Sequence, residues 1–527
     1  MTIKQKIIQI IKEIIGEIPP QHELKFINDP KIGDYASNIA FLLAAQEKQS
    51  PVVIAQELKA KLETYSLFKK VSVGGGGFIN FSLSWDFLLD ELKFADREDF
   101  GKYDLGQKKR VLIEYISANP TGPLNVVQAR AGAFGNALVN LLRFVNYQVD
   151  SEYYVNDKGT QVELLYNSLL ARINTLTGKP TPIPENGYPG EYLVEIAQEI
   201  INQNIPEVSW RSYLLDKIIN SQQASLARFG INFSNFVYES AFFNLHSIIL
   251  EKLKPYTYFH DGALWFKSTL FSDTEDRVLV TANGRSTYFL SDLAYHYNKF
   301  SRGYEFLINI WGPDHHGYIA RLKGGLQALG FDSQKLIIII AQQVSLLRDK
   351  QKVVMSKRAG EYVTLDEILS EIGADALKFF LLMRRASQHL EFDLALARKT
   401  SLENPVYYVQ YAYTRINSIL RNAREKELEL FRIPELSYLS SVYEEALIKL
   451  LLHFPDVILE SALHFEPHHL VYYLLELAKI FHKFYENVRV LDEVVPKAQA
   501  RLFLCKTIRR VIEKTLSILS ISAPERM

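Results

Sequence analysis

The segment Val111–Arg143, VLIEYISANPTGPLNVVQARAGAFGNALVNLLR, limits what this chain can become more than any other. Val111 to Ile116 is a short apolar, β-branched run with the length of a buried strand. Ser117-Ala118-Asn119-Pro120-Thr121-Gly122-Pro123 breaks regular structure. A helix follows, and Ala129, Ala131, Gly132, Ala133 and Gly135 let it lie close to a sheet or a ligand. Strand, turn and helix start together offer free backbone N–H groups and the positive end of a helix dipole to a phosphate. The same unit occurs in α/β proteins that bind no nucleotide, so alone it speaks for a fold and not for a function.

A chain of 527 residues is too long for one core, and two to four domains are expected. The 60 basic and 60 acidic side chains balance, which argues against indiscriminate coating of nucleic acid but not against shaped RNA recognition. Cys505 is the only cysteine, excluding an internal disulfide and a Cys-cluster zinc site and fitting a reducing cytoplasm. No apolar run has the length of a membrane span. The start, MTIKQKIIQIIKEII, reads as an amphipathic helix, not as a signal or transit peptide.

Residues 1–100 read as a separate α/β unit. Gly74 to Gly77 are not a phosphate loop, since no Lys-Ser/Thr follows, and a hairpin beside the strand from Phe78 is the expectation. The alternative reading puts Phe78 and Asn80 on an exposed sheet face, able to stack on and bond an unpaired base. The central unit, 105–375, carries a stretch at about 162–248 that is helical by pattern and looks inserted. Alternation of strands and helices resumes with GALWFKST, DRVLVTANGRSTYFLSDLAYHYNKF and FLINIWGPDHHGYIARLKGG, implying a doubly wound parallel sheet. Asn119, Tyr288, Asp292 and the Asp314-His315-His316 cluster fall near expected strand ends, where such sheets bind ligands. Adjacent histidines without a partner spacing suit a nucleotide-contacting loop better than a metal. Tyr288 and Asp292 are equally readable as a packed tyrosine and a capping aspartate. Ser356, Lys357 and Arg358 stand in a basic loop suited to a polyphosphate, or simply to solvent. From about Leu377 strands are expected to cease, leaving a helical bundle over 376–527. There Lys506, Arg509, Arg510 and Lys514 share a helix face that could track a phosphate backbone or be merely solvated.

Met together in this order, SANPTGPL, EYYVND, YPGEY, TYFLSDLAYH, WGPDHHGY, MSKRAG and NPVYYVQYAYTRI resemble the arginyl-tRNA synthetases, a family of class I aminoacyl-tRNA synthetases. The resemblance covers essentially the whole chain. It implies a small N-terminal α/β domain that binds the tRNA elbow, a Rossmann-like catalytic domain with a helical insertion, and an all-helical anticodon-binding domain. Two signatures differ in fidelity. Lys-Met-Ser-Lys appears as Val354, Met355, Ser356 and Lys357, keeping the lysine used on ATP. His-Ile-Gly-His is replaced by Asn125, Val126, Val127 and Gln128, whose amides keep N–H donors of similar reach without a titrating charge.

The resemblance implies ATP-dependent activation of L-arginine and its transfer to the terminal adenosine of tRNA(Arg). Glu114, Ser117, Asn119, Tyr288 and Asp292 would bind arginine, the last two taking the guanidinium. Asn125, Gln128, Asp314, His315, His316, Met355, Ser356 and Lys357 would serve ATP, with Asn125, Gln128, Ser356 and Lys357 assisting the chemistry. Phe78, Asn80, Tyr411, Arg415, Arg510 and Met527 would meet tRNA, Met527 at the anticodon loop. Mg²⁺ would travel with ATP, and no dedicated metal site, no DNA and no membrane is expected. A cytoplasmic monomer is the expectation. The altered first signature also suits an impaired, tRNA-binding paralogue.

Overall fold

Thr2 and Gln5 form a capping box that starts α1 (Ile3–Ile15), and Ile3, Ile7, Ile10 and Ile11 are buried as the amphipathic spacing requires. The computed structural model describes the chain except residues 30, 349–350, 353–362, 429–432 and 493. After α1 come β1 (Leu24–Asp29), β2 (Gly33–Ser37), α2 (Ile39–Glu47), α3 (Pro51–Leu62), β3 (Phe68–Gly74), β4 (Phe78–Leu83) and α4 (Trp85–Ala95). The strands form an antiparallel sheet in the order β1-β2-β4-β3. The glycine run is the β3–β4 turn: Gly77 N–H donates to Gly74 O at 3.1 Å, and Gly75 and Gly76 take φ of +52° and +76°, which glycine adopts without a Cβ penalty.

The central unit begins with β5 (Arg110–Glu114), α5 (Val126–Phe144) and β6 (Gln148–Val155). Helices α6 (Thr160–Leu176), α7 (Glu191–Asn202) and α8 (Trp210–Arg228) follow, then β7 (Asn235–Tyr238) and α9 (His246–Leu253). Next are β8 (Thr257–His260), β9 (Ala263–Phe266), β10 (Arg277–Val280) and α10 (Tyr288–Ser301). The unit closes through β11 (Phe306–Trp311), α11 (Ile319–Ala328), β12 (Leu336–Ile340), β13 (Val344–Arg348) and β14 (Gln351–Lys352). Five strands pair in parallel in the order β12-β11-β5-β6-β7. Strand order reverses between β5 and β11, and the crevice at their carboxyl ends is where doubly wound sheets take ligands. Gly132 and Gly135 let α5 lie on the sheet: a Cβ at Gly135 would stand 2.3 Å from the Tyr115 ring.

Three expectations need correction. The stretch expected to be helical to about residue 248 contains β7, which forms the edge of the central sheet. GALWF and DRVLV do not join that sheet but form a separate antiparallel one, β10-β9-β8. Asp261 and Gly262, both at positive φ, make a two-residue turn between β8 and β9, and such a turn fits only a hairpin. Strands also do not end near Leu377. After α12 (Leu365–Leu382), β15 (Leu390–Asp393) pairs in parallel with β13, and the expected boundary at 375/376 falls inside α12, just beyond its break at Gly373.

The remainder is helical: α13 (Leu394–Ala397), α14 (Pro405–Glu425), α15 (Val442–His464), α16 (His468–Asn487) and α17 (Val495–Ile518). The N-terminal domain docks on α15, where Lys449 pairs with Asp34 at 2.7 Å, Tyr35 donates to Asp456 and Phe26 stacks on His453. The basic face of α17 also meets the chain just after α4. Lys506 and Arg510 pair with Asp96 at 3.0 and 2.6 Å, and Lys514 donates to the carbonyls of Glu98 and Phe100. Burial, with Lys102 and Arg510 nearby, lowers the Lys514 pKa to about 8. Arg510, expected to meet tRNA, takes part in this joint between domains through Asp96. A basic stripe reads the same whether its counter-charge is a phosphate or a carboxylate elsewhere in the chain.

Candidate active site

The turn after β5 is held in a conformation that its own residues do not favour. Ile116 and Ser117 take φ of +70° and +40°, and a β-branched residue there is strained. Beside its own Thr121 N–H to Asn119 O bond at 2.7 Å, the turn is held by ties from distant segments. Tyr153 Oη donates to Ala118 O at 3.1 Å, Tyr192 Oη to Thr121 O at 2.7 Å, and Gln222 Nε2 to Gly122 O at 2.8 Å and Asn119 O at 3.3 Å. Ser117 Oγ accepts from Tyr154 N at 3.1 Å and donates to Glu114 Oε1 at 2.8 Å. Asn119 Nδ2 donates to Gln161 Oε1 at 2.7 Å. Gln222 and Tyr192 lie on the inserted helices, and no local pattern marked them; Tyr192 did stand within YPGEY.

Glu114 is 5% exposed, and its second carboxylate oxygen accepts from Lys299. Lys299 also donates to Asn309 Oδ1 at 3.1 Å and lies 4.1 Å from the centre of the Tyr295 ring. Both Glu114 oxygens are thus occupied within the protein, which suits a support for the crevice wall better than a direct arginine ligand. His296 extends the network. Its Nδ1 faces Asp292 O at 2.8 Å and must carry the proton, so Nε2 accepts from Asn309 Nδ2 at 2.8 Å. Burial, then the Lys299 charge, holds the His296 pKa well below its ordinary value, and the ring stays neutral.

Asp292 differs from these groups. Thr287 caps α10, which removes the capping role as an explanation for Asp292. The carboxylate accepts from Tyr318 Oη at 2.6 Å and, among the described residues, has no ion-pair partner. Its pKa is raised to about 7, chiefly by burial; the Tyr318 hydrogen bond lowers it, the nearby Glu114 and Glu239 charges raise it, and the Lys299 charge lowers it. Glu239 is itself raised, by burial and then by Asp157 against a lowering bond from Ser291. Such a cluster of carboxyl groups carries a standing deficit of positive charge. Tyr288 stands four residues before Asp292 on the same helix face and is 51% exposed. Its hydroxyl lies 3.1 Å from where a Cβ on Gly159 would be, so the two approach closely because residue 159 lacks a side chain.

At the start of α5, Asn125 Oδ1 accepts from the N–H groups of Val127 at 2.9 Å and Gln128 at 3.4 Å. Gln128 Oε1 accepts from Asn125 N–H at 3.1 Å. Asn125 and Gln128 therefore form a reciprocal capping box. Their oxygens are used by the helix, and among the described residues neither side-chain NH₂ donates. Across the crevice, Asp314, His315 and His316 are exposed in the turn after β11, with His315 5.7 Å from the Trp311 ring. Met355, Ser356 and Lys357 lie outside the described residues. The chain re-emerges on α5, where Thr364 bridges to Asn125 and Leu365 N–H donates to Leu124 O at 2.7 Å.

The remaining candidates lie away from the crevice. Phe78 and Asn80 alternate onto the outer face of β4, and Phe78 is 42% exposed. Arg415 lies between the rings of Tyr411 and Tyr485, 4.6 and 4.4 Å from their centres. Met527 is half exposed, while the segment before it is tied down by Gln410 to Ser522 O and Thr414 to Pro524 O. Glu466, His468 and His469 have metal-like spacing, but His469 pairs with Glu466 at 2.8 Å and Arg385 approaches the same carboxylate at 3.5 Å.

Three family models match the chain: an arginyl-tRNA synthetase N-terminal domain over 1–83, a class I (R) tRNA synthetase catalytic domain over 94–185, and a DALR anticodon-binding domain over 409–527. An arginine–tRNA ligase of Syntrophotalea carbinolica is 41% identical, with the alignment covering 100% of both chains. A solved structure described as an arginyl-tRNA synthetase of Campylobacter jejuni superposes with a TM-score of 0.77 at 34% identity, covering 84% of this chain and 100% of that one. The arginyl-tRNA synthetase of Thermus thermophilus shares the fold over 99% of both chains with a TM-score of 0.79 at 24% identity.

Proposed function

Because the chain belongs to the arginyl-tRNA synthetase family, we propose that the crevice between β5 and β11 holds arginine on its Asp292 side and MgATP over the start of α5. The protein is an arginine–tRNA ligase. The arginine carboxylate attacks the α-phosphate of ATP, the bond to the leaving pyrophosphate breaks, and a ribose hydroxyl of the tRNA terminal adenosine then displaces AMP from the activated carbonyl. Positioning and electrostatics carry both steps.

The observation that carries the arginine assignment is Asp292, a buried carboxylate near Glu114 and Glu239 that, among the described residues, forms no ion pair, Lys299 being paired with Glu114. A guanidinium supplies the missing charge and matches the carboxylate with two parallel N–H donors. Tyr288 walls the same side, and Asn119, fixed through Gln161 and Gln222, meets the amino-acid head. Asn125 and Gln128 offer their NH₂ groups to ATP while their oxygens cap α5, so the two amides combine helix support with neutral phosphate or ribose donors. Asp314, His315 and His316 line the opposite wall, and Ser356 and Lys357 act on the phosphates. The outer face of β4 with Phe78 and Asn80, and the Tyr411–Arg415 surface with the nearby Met527, serve tRNA. We also infer that the enzyme acts as a monomer in the cytoplasm. Among the described residues no helix is long and apolar enough to cross a membrane.

ATP–pyrophosphate exchange and aminoacylation, run with tRNA(Arg) and a panel of amino acids, test the assignment. Exchange and charging should require arginine. Arginine-independent exchange, or charging with another amino acid, would overturn it.

A further inference from the structure

We propose that Arg130 is a positioning residue for the ATP side of the crevice, holding the backbone beyond the carboxyl end of β12 in register with the start of α5. Arg130 lies in α5 two residues after Gln128 and is 2% exposed. Its Nη1 donates to Gln342 O at 2.8 Å and Gln343 O at 3.3 Å. Its Nη2 donates to Arg385 O at 2.8 Å and Gln388 O at 2.7 Å. Among the described residues it pairs with no carboxylate. Burial lowers its pKa only to about 10, so four carbonyl dipoles hold a full cation at neutral pH.

The two segments that it grips are themselves joined. Gln342 N–H donates to Ala386 O at 2.8 Å, and Leu390 N–H donates to Gln343 O at 3.2 Å. Ala341 N–H donates to Trp311 O at 2.8 Å, tying the same stretch to the end of β11 and the turn that carries Asp314. Arg130 thus ties its own helix α5, which begins at Asn125 and Gln128, to the backbone running on from β12 into β13 and to residues 385–388, while a separate backbone bond links the first of these to the end of β11. An apolar side chain would pack α5 on β13 but allow sliding between them. A planar fork with two N–H groups on each arm fixes both distance and rotation. Lysine, with three donors on one nitrogen, satisfies part of this set.

This inference rests on the assignment of ATP to that side, and the test separates the two. Arg130→Met, Arg130→Gln and Arg130→Lys would be made in the full chain and assayed by arginine-dependent pyrophosphate exchange with tRNA present, below the melting temperature of each. Displacement of groups near a reaction by about 1 Å costs about 10²-fold in rate. Arg130→Met and Arg130→Gln should therefore lose on the order of 10² in kcat and raise KM for ATP, with KM for arginine within about twofold of wild type. Arg130→Lys should recover roughly tenfold of that loss. Leu92→Ala, in the N-terminal core, serves as a control for lowered melting temperature alone. Kinetic constants of the Arg130 variants that match this control, or equal rises in KM for both substrates, would overturn the positioning role. Should Arg130→Met not fold, the Gln and Lys variants decide by the same criteria. Lys357→Ala run in parallel tests the ATP assignment itself: a normal rate there would strike that assignment, whereas a loss there beside normal Arg130 variants would strike only Arg130.

Discussion

The proposed contact between Asp292 and the guanidinium makes a quantitative demand on arginine binding. The Asp292 pKa of about 7, against an ordinary 3.8, corresponds to roughly 4 kcal/mol in favour of the neutral form. A guanidinium binds the ionised form, so arginine must compete with a proton below pH 7. KM for arginine should rise about tenfold between pH 8 and pH 6, while KM for ATP stays nearly flat over the same range. Asp292→Asn keeps the shape and the bond from Tyr318 but removes the charge. Its KM for arginine should be higher by on the order of 10²–10³ and should lose the pH dependence. Stability should move the other way. The folded protein retains this proton up to about pH 7, whereas the unfolded chain releases it near the ordinary value. The group therefore contributes stability at low pH that is lost as pH rises through 7. At pH 8 Asp292→Asn should melt at a higher temperature than wild type, by the equivalent of up to about 4 kcal/mol, and the gain should disappear by about pH 4. Initial rates across pH 6–8 and melting curves in matched buffers measure both effects. A pH-independent arginine KM in the wild type, or an unchanged KM in Asp292→Asn, would refute the reasoning.

Asn125→Asp keeps the acceptor that caps α5 but puts a negative charge on the group proposed to face the ATP phosphates. The melting temperature should hold while KM for ATP rises at least about tenfold, as loss of a charge-assisted contact implies. Lys357→Ala should lower kcat by about 10²–10³ with little change in arginine KM, read by pyrophosphate exchange. Arg510→Ala should lower the melting temperature by the equivalent of about 1–3 kcal/mol and leave KM for tRNA unchanged, since the guanidinium is held by Asp96. A rise in tRNA KM without destabilisation would return Arg510 to the tRNA surface.

What the sequence determined by itself was whatever depends on neighbours along the chain. The strand, turn and helix of Val111–Arg143, the glycine hairpin before Phe78 and the amphipathic α1 follow from periodicity and turn chemistry, which act over a few residues. The Asp-Gly hairpin joining β8 and β9 was equally local and legible, and reading those strands into the parallel sheet passed over it. Tertiary structure decided what depends on partners far apart in sequence. Edge strand β7 is too short to declare itself and exists because β6 offers it a ladder. The α17 stripe reaches Asp96, far off in sequence, through Lys506 and Arg510, and Gln222, silent in any local pattern, helps to hold the turn that bears Asn119. Glu114 and Asp292 show the same division most clearly. Both are carboxylates beside apolar runs, and only the fold pairs one of them with Lys299 and leaves the other, among the described residues, without an ion pair. Electrostatic role is set by the summed surroundings of a charge, and those surroundings come into being only when distant segments pack.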